Sequence, residues 1–68
     1  MVLGAKKRVR VYTTPAAGDQ TIEGILVSKK PEIVLELADL ILPDNKKQQL
    51  QGRVHVPREH VRFWQVIS

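Results

Sequence analysis

Cysteine is absent from the chain. That removes disulfides, thiolate metal sites and cysteine nucleophiles together, and it leaves no sign of an oxidising compartment. Aromatic side chains are scarce, one Tyr, one Trp and one Phe, too few for the groove that usually grips a proline-rich peptide. The four glycines stand singly, so no glycine-rich loop cradles a phosphate and nucleotide hydrolysis is not expected. No apolar run reaches the roughly 18 residues that span a bilayer. The longest apolar-rich run, residues 33–42, is broken by Glu36 and Asp39. The N-terminal residues show no signal-peptide h-region. The expectation is a soluble protein, not secreted through a signal peptide and not bound to a membrane.

What is present fits one small domain, residues 1–68. A chain of this size buries only about 60% of the surface its unfolded form exposes, so a lone copy gains from self-association or a protein partner. Eleven Lys and Arg against seven Asp and Glu give a net charge of +4. The excess clusters at Lys6, Lys7, Arg8 and Arg10, with Lys29-Lys30 and Lys46-Lys47 at expected loops. Such a balance suits nucleic acid or an acidic protein surface. It equally suits a small β-protein that keeps its edges soluble with lysine.

Residues 1–6 lack periodicity and read as an arm that a partner would order. Over residues 7–14, Val9, Val11 and Thr13 alternate with Arg8, Arg10 and Tyr12, which is a strand with one apolar face. Pro15 and Gly18 then bracket a loop. Residues 21–28 give a second strand in which Ile22, Gly24 and Leu26 share a face. Gly24 sits mid-strand, where a sharp bend or a close backbone explains it. Residues 32–42 admit two readings. As a helix, Pro31 opens it and Glu32, Glu36 and Asp39 form a polar stripe. As a strand, Ile33, Leu35 and Leu37 alternate, with a bulge near Ala38-Asp39 restoring the parity. The β-branched content and the β-rich flanks favour the strand. Pro43-Asp44-Asn45 signals a hairpin with Lys46 to Gln49 in its loop. Leu50, Gly52, Val54 and Val56 alternate as a fourth strand, Pro57 to His60 suit a single 3₁₀ turn, and residues 61–67 form a fifth.

Five strands with a long third, and a fourth and fifth joined by one turn starting at proline, resemble the SH3-like barrel and within it the Sm-like (LSm, Hfq-type) branch. Val9-x-Val11, Gly24-x-Leu26, Ile33-Val34-Leu35-Glu36, Leu50-x-Gly52 and Val56-Pro57-Arg58 carry the resemblance, which covers about residues 8–67. It implies an all-β, five-stranded small barrel with a 3₁₀ turn between strands four and five, and ring assembly through those strands. The family's RNA-reading residues do not carry over: the loop Ser28-Lys29-Lys30-Pro31 lacks the Asp and Asn, and Gln51-Gly52 keeps the glycine without the arginine. A fainter likeness, over Val11-Tyr12, Glu23-Gly24-Ile25-Leu26-Val27 and Val56-Pro57-Arg58, is to small barrel proteins of tailed bacteriophages of actinobacteria. That likeness implies a virion or assembly component, with the virion or the cytoplasm as its place.

Catalysis finds no constellation. His55 and His60 have no third metal ligand nearby, and HVPREH lacks the helical spacing of HExxH. Ser28 and Ser68 lack a histidine and carboxylate set for nucleophilic work. Glu32, Glu36 and Asp39 read as a solvated edge. No cofactor and no small-molecule substrate are expected. Two binding surfaces remain. Lys6, Lys7, Arg8, Arg10 and Tyr12 can neutralise phosphates and stack a base, or meet an acidic partner. The final strand is apolar on both sides: Phe63 and Trp64 are adjacent and must point to opposite faces, and Val66 and Ile67 repeat this. Phe63, Trp64, Val66 and Ile67 are therefore the expected protein interface. The function expected is a non-catalytic structural or assembly module, with single-strand nucleic-acid binding as the alternative.

Overall fold

The computed structural model describes residues 7–67; the expected arm over residues 1–6, including Lys6, lies outside the described residues. The fold is all-β and antiparallel, with six strands in one sheet. These are β1 (Arg8–Thr13), β2 (Thr21–Ser28), β3 (Ile33–Ile41), β4 (Lys47–Gln49), β5 (Val54–Val56) and β6 (Val61–Val66). Two single 3₁₀ turns, Pro15–Ala17 and Arg58–His60, complete it. The second lies where Pro57 predicts it, directly before the last strand.

Alternation sets the core. Val9, Val11 and Thr13 of β1 are buried while Arg8, Arg10 and Tyr12 are not. Ile22, Ile33, Leu35, Ala38 and Val56 join the buried set, and Leu26, Leu40, Leu50, Val54, Val61 and Trp64 pack around it. Among the described residues only Leu35, Val9 and Val11 are large and fully enclosed, so the interior is small. Thr13 is the buried hydroxyl. It accepts from the Gln20 amide at 2.6 Å and so closes the β1–β2 loop, which leaves it satisfied.

Within residues 32–42, Ile33–Ile41 are strand and none is helix. The expected bulge falls at Leu37: Ile25 opposes Glu36 while Glu23 opposes Asp39, so Leu37 has no partner on β2. Leu37 takes φ +50° and is 72% exposed, and the shift returns Ala38 to the core. The bulge presses on Gly24. A Cβ there would lie 3.0 Å from the Glu36 carbonyl oxygen and 3.1 Å from the Ala38 Cα, so a close backbone requires this glycine, rather than the sharp coiling of a barrel strand, the favoured expectation.

Three expectations need correction. The count is six strands because Lys47–Gln49, read as loop, pairs with Asp39–Ile41. The strand expected over residues 50–56 is only Val54–Val56, paired with Ile33–Leu35; Gly52 at φ +67° breaks the run before it. The far edge of β3 is thus shared by two short strands. Finally, the sheet is not closed: its order is β4-β3-β2-β1-β6, with β5 also on β3, and no ladder joins β5 to β6 among the described residues.

Candidate functional site

The outer face is built by cross-strand register, since opposed residues of an antiparallel pair share a face. On it Phe63 opposes Tyr12, Gln65 opposes Arg10, and Arg10 opposes Glu23. Two small clusters result, one ionic and one aromatic.

The ionic cluster centres on Glu23, only 4% exposed. Arg10 donates to Glu23 Oε2 from Nη2 at 2.6 Å and from Nε at 3.0 Å. Arg8 Nη2 donates to Oε1 at 3.3 Å, and Lys47 Nζ lies 3.6 Å from the same oxygen. The Arg10 hydrogen bonds hold the Glu23 carboxyl below its ordinary value against the opposing effect of burial, with the Arg10 and Lys47 charges and the Arg8 hydrogen bond adding to the lowering. The same bonds raise the Arg10 guanidinium. Sequence reading placed Arg8 and Arg10 on this face but gave no role to Glu23. Only the β1–β2 register, which the sequence does not print, brings the carboxylate under them.

The aromatic cluster is Tyr12 stacked on Phe63, centroids 4.3 Å apart at 23°. Arg62 lies 5.2 Å from the Phe63 centroid, a cation–π distance. The Tyr12 hydroxyl donates to Gln65 Oε1 at 2.8 Å. Phe63 nevertheless stays 48% exposed. Lys7, expected on this face, is exposed but precedes β1 and shares the parity of Val9 and Val11, not of Arg8 and Arg10.

The other expected interface residues divide by side. Trp64 opposes Val11 and packs on the core. Val66 opposes Val9, and so faces inward, yet is 48% exposed, with no strand beyond β6 among the described residues. Ile67, half-buried, donates its amide to the Arg8 carbonyl at 2.9 Å.

The carboxylates and histidines are dispersed. His55 Nδ1 lies 2.7 Å from Glu32, and Arg53 holds Glu36 at 3.1 Å. No group of three or more His, Asp or Glu among the described residues is placed to hold a metal ion. No helix among them is long and apolar enough to cross a membrane.

The fold and face define a class: a small, open antiparallel sheet with a cationic and aromatic outer surface. Beyond that class, no family model matches the chain, and neither a curated protein nor a solved structure does.

Proposed function

We propose that this chain is a non-catalytic docking module, a structural or assembly component that binds into a multi-subunit particle such as a phage virion. The observation that carries the reading is β6. Among the described residues its outer edge is unpaired, with Phe63 exposed on one side and Val66 on the other, each at 48%. Unpaired backbone groups and apolar side chains on both faces are what a partner strand or protein wall covers. In the resemblance to Sm-like barrels, the strand added to β6 comes from a second copy, and joining β6 to the outer edge of β5 completes a barrel-like closure across chains.

The test is solution mass. The wild-type chain is expected to associate with rising concentration in light scattering, while Phe63→Ala stays folded by circular dichroism and is monomeric. Wild type and variant with the same mass at every concentration contradict self-association, and capture of neither by an assembled particle contradicts docking altogether.

A second reading, single-strand nucleic-acid binding, is favoured by the Tyr12–Phe63 pair, which gives the basic face two rings instead of one. Filter binding across salt separates it, because neutralising about four phosphates makes affinity fall steeply as salt rises. Arg8 and Arg10 already share the Glu23 charge, so the slope expected on this reading is shallower than their number suggests. Weak binding with no salt dependence removes it.

A further inference from the structure

A cavity of about 370 Å³ opens on the side of the sheet opposite Phe63, lined by Lys29, Lys30, Ile33, Arg58, Val61 and Trp64. Its composition is sorted. Ile33, Val61 and Trp64 give an apolar floor continuous with the core, and the remaining three residues are cations. No carboxylate lines it. Glu32, the nearest acid in sequence to Lys30, is occupied by His55 at 2.7 Å. Among the described residues Lys29, Lys30 and Arg58 form no ion pair, as Lys7 and Arg62 form none, whereas Arg8, Arg10, Lys46, Lys47 and Arg53 do. Three like charges brought together around a greasy floor repel one another unless an anion joins them.

We infer that this cavity takes an acidic peptide segment, with one aliphatic side chain seated on Ile33, Val61 and Trp64 and flanking carboxylates on Lys29, Lys30 and Arg58. A guanidinium and two ammonium groups match several carboxylates, Arg58 through its paired N–H groups and the lysines as point charges. The floor offers no polar side chain to read a base edge, which favours a peptide over a nucleotide. The volume is at the small end of the roughly 300–1,000 Å³ of ligand sites, enough to seat a side chain but not a domain. The inference rests on the docking reading and gives its partner a chemistry. It uses neither Phe63 nor Val66 and takes from β6 only the side chains of Val61 and Trp64, so Phe63→Ala tests the docking reading without altering the cavity lining.

Trp64 is the only tryptophan, and its emission reports the cavity floor. The probe is an acetylated, amidated pentapeptide of sequence Glu-Asp-Leu-Asp-Glu titrated into the full chain. A saturable emission change is expected, with affinity falling as salt rises. Arg58→Glu, and Lys29→Glu with Lys30→Glu, should each weaken it by roughly tenfold or more. Lys46→Glu, an equal charge change at a distant loop, should weaken it far less. Replacing the peptide leucine by alanine should weaken it several-fold. Because the substituted cations are exposed, unchanged circular dichroism and melting confirm that each variant is folded. The inference is overturned if no saturable change occurs, if Lys46→Glu acts as strongly as Arg58→Glu, or if a ten-nucleotide oligothymidylate binds this cavity more tightly than the peptide at equal salt. A loss of self-association in Phe63→Ala with peptide binding retained supports both readings independently.

Discussion

Glu23 is the residue whose chemistry is most sharply set. Its carboxylate is nearly enclosed, and three cations reach it, with Arg10 closest at 2.6 Å. Because its folded pKa is lowered, the unfolded chain binds the proton more readily. The pair's contribution is complete above the unfolded value of about 4.3 and is lost as pH falls through the lower folded value. Glu23→Gln should therefore destabilise at neutral pH by about 2 kcal/mol, less than a fully buried pair because the arginines stay partly in water. It should also flatten the acid limb of stability against pH. Urea melts at pH 7 and pH 3 check this, and equal losses at both would refute it. Gly24 gives a second residue-scale outcome. Gly24→Ala pushes a methyl into the Glu36 carbonyl and Ala38, and is expected to cost about 1–3 kcal/mol, read as a drop in urea midpoint.

At the scale of elements, β3 governs the sheet. Its bulge puts Leu37 in the left-handed region, where a branched, exposed side chain gains nothing and costs about 1–2 kcal/mol. Leu37→Gly is expected to be neutral or stabilising by up to about 1 kcal/mol, the reverse of what losing a leucine does in a core. A thermal melt that falls by several degrees would refute it. The strands themselves were legible from alternation of residue types, and β1 also alternates in burial, whereas Ile22, Glu23 and Gly24 of β2 and Ile33, Val34 and Leu35 of β3 are buried in succession. What alternation hid was pairing. Lys47–Gln49 carries no apolar face and reads as loop, yet it pairs with Asp39–Ile41 simply as the second arm of the Asn45 hairpin, where the Leu42 amide donates to the Lys46 carbonyl at 2.8 Å. The residues 50–53 alternate convincingly, but Gly52 turns the chain. The basic face was legible as Arg8, Arg10 and Tyr12. Glu23 beneath it and Phe63 beside Tyr12 depend on register between strands far apart in sequence, which no local pattern encodes.

For the whole molecule, the small interior decides how much change the fold tolerates. Leu35 is fully enclosed, and Leu35→Ala is expected to cost about 2–5 kcal/mol. Against a total that for small domains lies at the low end of about 5–15 kcal/mol, that is enough to leave much of the population unfolded at 37 °C, which circular dichroism would register. Phe63→Ala should leave the melting temperature nearly unchanged, since the ring is half in solvent. The two variants thus separate what holds the sheet together from what it presents to others.

The partnership of Val9 with Val66 has a consequence for synthesis. β1, β2 and β3 precede β6 in the chain, so the second edge of β1 has no partner strand until residues 61–66 are available. During that interval Val9 and Val11 offer a template to any neighbouring nascent chain. The longer residues 61–66 are delayed in reaching β1, the more time two chains have to entangle before either sheet is whole.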